Sequence, residues 1–168
     1  MQALLLGMFL ALVAVSLAWA EYSKQQQKKD ISICLDGIST ADNDKDIAAC
    51  NRLLTSKRFQ REILISIHFS RALMYHGAKQ YPLCVQDTDW IIKATESCRA
   101  TGVQIKDCRQ VRAQSYSLRG GCQKELGNLK AAIADYRRAI GLGIGWALNL
   151  KTQIKQMQAK LKRPDTKR

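Results

Sequence analysis

The sequence predicts an all-α fold: a short, disulfide-stapled stack of antiparallel helical hairpins closed by a C-terminal helix. Three observations carry this expectation. Apolar residues recur at the helical period, at Ile63, Ile67 and Ser70 to Met74, from Ala131 to Ile140, and at Ala147, Leu150, Ile154, Met157 and Leu161. No run alternates polar and apolar residues between turn signals, and the only prolines are Pro82 and Pro164, so strands are not expected. Finally, SRALMYHGAKQYPLCVQDTDWIIKA from Ser70 lies over LRGGCQKELGNLKAAIADYRRAIGL from Leu118 without a gap, at an offset of 48 residues.

From the amino terminus, residues 1–20 contain no charged side chain, are almost wholly apolar from Ala3 to Leu17, and end in Ala18-Trp19-Ala20. That is the pattern of a signal peptide cut before Glu21, too short for a comfortable membrane span. The absence of Lys or Arg ahead of the apolar run leaves retention as an anchor open. Export to a bacterial periplasm is the expectation, with secretion as the alternative, and after cleavage no span remains. Residues 21–30 (EYSKQQQKKD) are polar and without apolar period, and are expected to form a flexible lead-in. All six cysteines and the whole net charge of +13 follow residue 20. An even cysteine count in an exported chain reads as three disulfides, and the spacings offer no C-x2-C cluster for a metal.

In each copy of the internal repeat a periodic segment precedes a turn and a second periodic segment follows. The turns are Gly77-Ala78-Lys79-Gln80 and Leu126-Gly127-Asn128. Each copy is therefore a helix, a tight turn and an antiparallel helix. Arg71 and Asp87, and again Arg119 and Asp135, stand 16 residues apart at matching places, which reads as one ion pair bracing each hairpin. Small residues at Gly120 and Ala132 would let two helices approach closely, with Tyr136 filling the groove beyond.

Those residues, Gly120, Gly127 and Ala132-x3-Tyr136 followed by Ala139, resemble a tetratricopeptide repeat. The first copy keeps Ala72, Tyr75 and Tyr81 but has Cys84, Thr88 and Ile91 where the family has small, aromatic and small residues. The proline that usually closes a repeat is missing. The resemblance implies a short right-handed solenoid, with repeats at 59–95 and 109–145. The offset exceeds the family period of ~34 residues, implying an insertion at 96–108. DIAACNRLLTS from Asp46 resembles AIADYRRAIGL, suggesting an N-terminal half-repeat at 31–58. Residues 146–162 would cap the stack, and 163–168 form a basic tail. On this register the cysteines are expected to pair as Cys34–Cys50, Cys84–Cys122 and Cys98–Cys108, one of 15 arrangements that six cysteines allow.

The resemblance also implies a concave groove lined by the first helices of successive repeats. Its lining would be Ser66, Phe69, Leu73 and His76 from one copy and Gln114, Ser117, Gly121 and Lys124 from the other. It lacks the paired Lys and Asn residues with which some relatives clamp a carboxylate. No nucleophile motif, phosphate loop, metal motif or redox C-x-x-C occurs, so neither catalysis nor a cofactor is expected. GLGIGW from Gly141 follows a helix and reads as a stop and joint. His68 and His76 read as ordinary structural histidines. The partner is expected to be another protein or peptide. The basic balance raises a second candidate, an anionic envelope component, while export and the lack of interleaved aromatics argue against nucleic acid.

Overall fold

The computed structural model describes residues 24–35, 42–56, 59–96, 108–143 and 145–162, and all of the regular structure in them is helical. The helices are α1 (residues 24–35), α2 (Asn43–Thr55), α3 (Arg61–Gly77), α4 (Tyr81–Glu96), α5 (Cys108–Glu125), α6 (Leu129–Gly141) and α7 (Ala147–Lys162). From α2 to α7 each helix packs on the next, and α3 also touches α5. Hairpins laid side by side give this pattern, with α3 and α5 as neighbours. The expected signal segment, the body of the 96–108 insertion and the basic tail lie outside the described residues.

The internal repeat survives at atomic detail in its turns. Gln80 donates its N–H to the Tyr75 carbonyl (2.8 Å) and Lys79 to that of His76 (3.1 Å); Asn128 and Gly127 do the same to Gln123 (2.9 Å) and Lys124 (3.0 Å). Every donor and acceptor is displaced by the same 48 residues. These are Schellman turns, which need one left-handed residue just past the helix end. Gly127 supplies it at φ +80°, and Lys79 adopts it at φ +58° despite its side chain.

Within each hairpin one pair of buried positions 16 residues apart recurs. In the last hairpin the pair is Gly120 and Tyr136: a Cβ on Gly120 would lie 2.6 Å from two carbons of the Tyr136 ring. Burial pushes the Tyr136 phenol up to about 12, with the Glu125 charge adding to it. Its hydroxyl donates to Gln153 Oε1 of α7 (3.1 Å), so the same ring locks the terminal helix. In the middle hairpin the matching positions are Ala72 and Thr88, both fully buried. In the first they are Cys34 and Cys50, joined by a disulfide with Cα atoms 5.1 Å apart.

That last pair corrects the expectation of a half-repeat preceded by a loose lead-in. Residues 24–35 form a helix, so the first hairpin is complete. The missing apolar period is compensated by a buried carboxylate paired with a half-exposed arginine. Asp30 is only 3% exposed; Arg52 donates to it from Nε (2.9 Å) and Nη2 (2.7 Å), and Gln26 from Nε2 (2.8 Å). The Arg52 hydrogen bonds outweigh burial and hold the Asp30 carboxyl below its usual value, with Gln26 and the charges of Arg52 and Lys29 contributing.

In the repeat copies the brace is built differently. Arg71 donates to Asp87 from Nε (2.8 Å) and Nη2 (2.6 Å), and from Nη1 to Asn51 Oδ1 of α2 (2.6 Å). Arg119 donates to Asp135 from Nε (2.8 Å) and Nη2 (2.7 Å), and from Nη1 to Asp89 of α4. Each guanidinium thus fastens its own hairpin and reaches back to the one before. Around Asp87, His68 donates from Nδ1 (2.8 Å) while its ring stacks on Trp90 (4.1 Å between centroids). At the matching places of the second copy, Tyr116 and Arg138 make a cation–π contact (5.5 Å), and Arg138 also bonds Asp135 (3.2 Å).

Leu150, Ile154 and Met157 of α7 are buried in one cluster with Ala132, Ile133, Tyr136 and Ala139 of α6. Leu161, expected in that stripe, is 46% exposed, because the helix runs past the end of its partner. Lys151, Lys155, Gln156 and Lys160 face solvent.

Three outcomes are expected from chemical denaturation. Gly120→Ala should lower stability by about 1–2 kcal/mol, since the Tyr136 ring must move, whereas Gly121→Ala, whose Cβ would meet only atoms 3.8 Å away, should be neutral or stabilising. Arg119→Met should cost about 3 kcal/mol by leaving Asp135 buried with too few donors, and Arg119→Met/Asp135→Leu should recover most of it. The Asp30 pair contributes stability above the unfolded carboxylate value of about 4, and this is lost as pH falls through the lowered native value. Asp30→Asn should therefore flatten the decline in urea midpoint between neutral and acid pH.

Candidate functional site

Along α3, Ser66, Phe69, Leu73 and His76 recur three and four residues apart, so they share one helix face. Gln114, Ser117 and Gly121 repeat the spacing on α5, each 48 residues after its counterpart. Because α3 touches α5, the two faces meet. Between them lies an open trough with two lobes. The first, about 380 Å³, is walled by Leu35 of α1 together with Ile65, Ser66, Phe69, Val111 and Gln114. The second, about 290 Å³, includes Leu73, His76, Ser117, Gly121, Leu118 and Trp146. Phe69 and Gln114 belong to both lobes, which makes the trough continuous.

The lining is apolar with isolated neutral polar groups, and no Lys, Arg, Asp or Glu takes part. Ser66 is turned back on its own helix, donating to the Glu62 carbonyl (3.2 Å). Ser117 accepts from the indole Nε1 of Trp146 (3.4 Å), which holds the half-exposed ring at the edge of the second lobe. His76 meets Tyr81 edge to face (5.8 Å between centroids). Gly121 keeps the α5 backbone low, and a Cβ there would still stand 3.8 Å from His76 Nε2.

Seven of the eight residues expected in the groove line this trough; Lys124 does not. Its ammonium donates to Gln153 Oε1 of α7 (3.3 Å) and pairs with Glu125 (3.3 Å), because the terminal helix packs over that end of α5. The sequence reading missed Leu35, Ile65, Val111, Leu118 and Trp146. Leu35 lies ahead of the two repeat copies, and only its spacing of four from Ile31, as between helix neighbours, hints at its place on a helix face. Trp146 sits in the glycine-rich joint, where helical spacing gives no guide to direction.

Two disulfides frame the site from behind. Cys34–Cys50 closes the first hairpin, and Cys84–Cys122 ties α4 to α5 with Cα atoms 6.4 Å apart. All four sulfurs belong to fully buried residues. Cys108 is also disulfide-bonded, while Cys98, its expected partner, lies outside the described residues. Paired cysteines indicate an oxidising, extracellular compartment. Among the described residues no helix is long and apolar enough to cross a membrane, and no group of three His, Cys, Asp or Glu side chains could hold a metal.

No protein-family model, curated protein or solved structure matches this chain.

Proposed function

We propose that this chain is an exported interaction module or scaffold, a right-handed tetratricopeptide-like solenoid that grips a peptide or helix of an envelope partner in its trough. The periplasm of a bacterium is the compartment this reading favours. One observation carries it: faces of three successive odd-numbered helices, α1, α3 and α5, contribute to one uncharged apolar trough. An apolar trough open along its length suits the apolar face of a helix or an extended segment. Phe69, shared by both lobes, and Trp146 at the rim are the aromatic anchors on which such interfaces concentrate their affinity. Cofactor chemistry has no part in this reading.

The test uses peptides selected from a displayed library on the oxidised chain. A peptide seated in the trough should lose at least tenfold in affinity to Phe69→Asp and to Leu73→Asp at constant salt, and should shift the fluorescence of Trp146. Affinity that is indifferent to both substitutions would remove the trough from the binding site.

A further inference from the structure

The positive charge is segregated from the trough. From Cys108 to Lys162 the chain carries eleven Lys and Arg against two acids, Glu125 and Asp135, so this segment holds nine of the thirteen net charges. Both acids are engaged: Asp135 by Arg119 and Arg138, Glu125 by Lys124. Lys130, Arg137, Lys151, Lys155, Lys160 and Lys162 are all exposed.

On α7 the charge is ordered. Leu150, Ile154 and Met157 face the core. Turning half-way round the helix brings up Leu148, Lys151, Lys155 and Lys162, at spacings of three, four and seven, with the small residues Thr152 and Ala159 between them. All six are exposed, and Leu148 is 79% so, the most exposed large apolar side chain among the described residues. The helix contains no acid. From Lys151 to Arg168 the chain carries seven basic residues and one acid, Asp165.

The geometry points to α7 as an electrostatic docking face for an anionic phospholipid surface, presenting three lysines around one projecting leucine while leaving the trough free. With Lys160, α7 carries four lysines in all, the lower end of the four to eight basic residues with which amphipathic helices bind anionic headgroups. Lysine stems can lie along the lipid boundary with their ammonium groups at the phosphates, and Leu148 can enter the acyl margin. A soluble polyanion would engage the lysines but has no use for Leu148, which is why the lipid surface is the better fit. This inference does not depend on the trough binding anything.

The experiment measures partition of the full oxidised chain onto vesicles of phosphatidylcholine with a quarter phosphatidylglycerol, and onto phosphatidylcholine alone. Binding to the anionic vesicles only, weakening steeply with salt, is expected. Lys151→Gln/Lys155→Gln/Lys162→Gln should reduce it about a hundredfold, roughly fivefold for each charge. Leu148→Ser should reduce it about tenfold without altering the salt dependence. Since all variants share residues 1–23, their differences report on α7, and unchanged thermal unfolding would show that the fold is intact. Phe69→Asp should partition like the parent chain. Equal binding to neutral vesicles, or a triple variant that binds as the parent does, would overturn the proposal. So would preference for soluble polyphosphate with indifference to Leu148→Ser.

Discussion

The arrangement of the hairpins depends on two half-buried guanidinium groups, each held by a buried carboxylate of its own hairpin and a polar oxygen of the preceding one. Arg71 joins α2, α3 and α4; Arg119 joins α4, α5 and α6. A planar fork with five donors can satisfy a bidentate carboxylate and still have a free corner, which a lysine cannot do. The result is directional. Apolar packing alone would let neighbouring hairpins slide or rotate, whereas a fork bonded on three sides sets their register. The residues that line the trough lie on the helices so positioned.

The braces themselves are close to charge-neutral: Asp87 and Asp135 are buried, each against an arginine of its own hairpin, and Asp30 against Arg52. The surface charge has a separate source in composition. From Leu129 to Lys162 the chain carries seven Lys and Arg against one acid, Asp135, so this end of the molecule is basic.

The three hairpins fill matching buried positions, 16 residues apart, in different ways. The first has a disulfide, the second the small buried pair Ala72 and Thr88, and the third Gly120 against the Tyr136 ring. A covalent bond suits the hairpin whose first helix is polar and has little apolar surface to bury. In the third hairpin, a glycine against an aromatic ring needs no crosslink, since the ring fills the space that the missing side chain leaves. Cys84–Cys122 then ties α4 to α5 within the core cluster that also holds Cys34 and Cys50.

Local sequence determined much of this. The helices from α2 to α7 were legible because amphipathic period and turn chemistry act over a few residues, and the 48-residue offset brought Arg71, Asp87, Arg119 and Asp135 into matching places. The shared face of Ser66, Phe69, Leu73 and His76 followed from helical spacing in the same way. Only the tertiary structure decided the rest. Residues 24–30 look too polar to fold, yet become helical because Asp30 meets Arg52, a partner 22 positions away. Lys124 has the spacing of a trough residue but is captured by α7, and Trp146 enters the trough from a joint whose direction no periodicity encodes. Each of these depends on which element lies opposite, and that information is a property of the packed chain rather than of any segment within it.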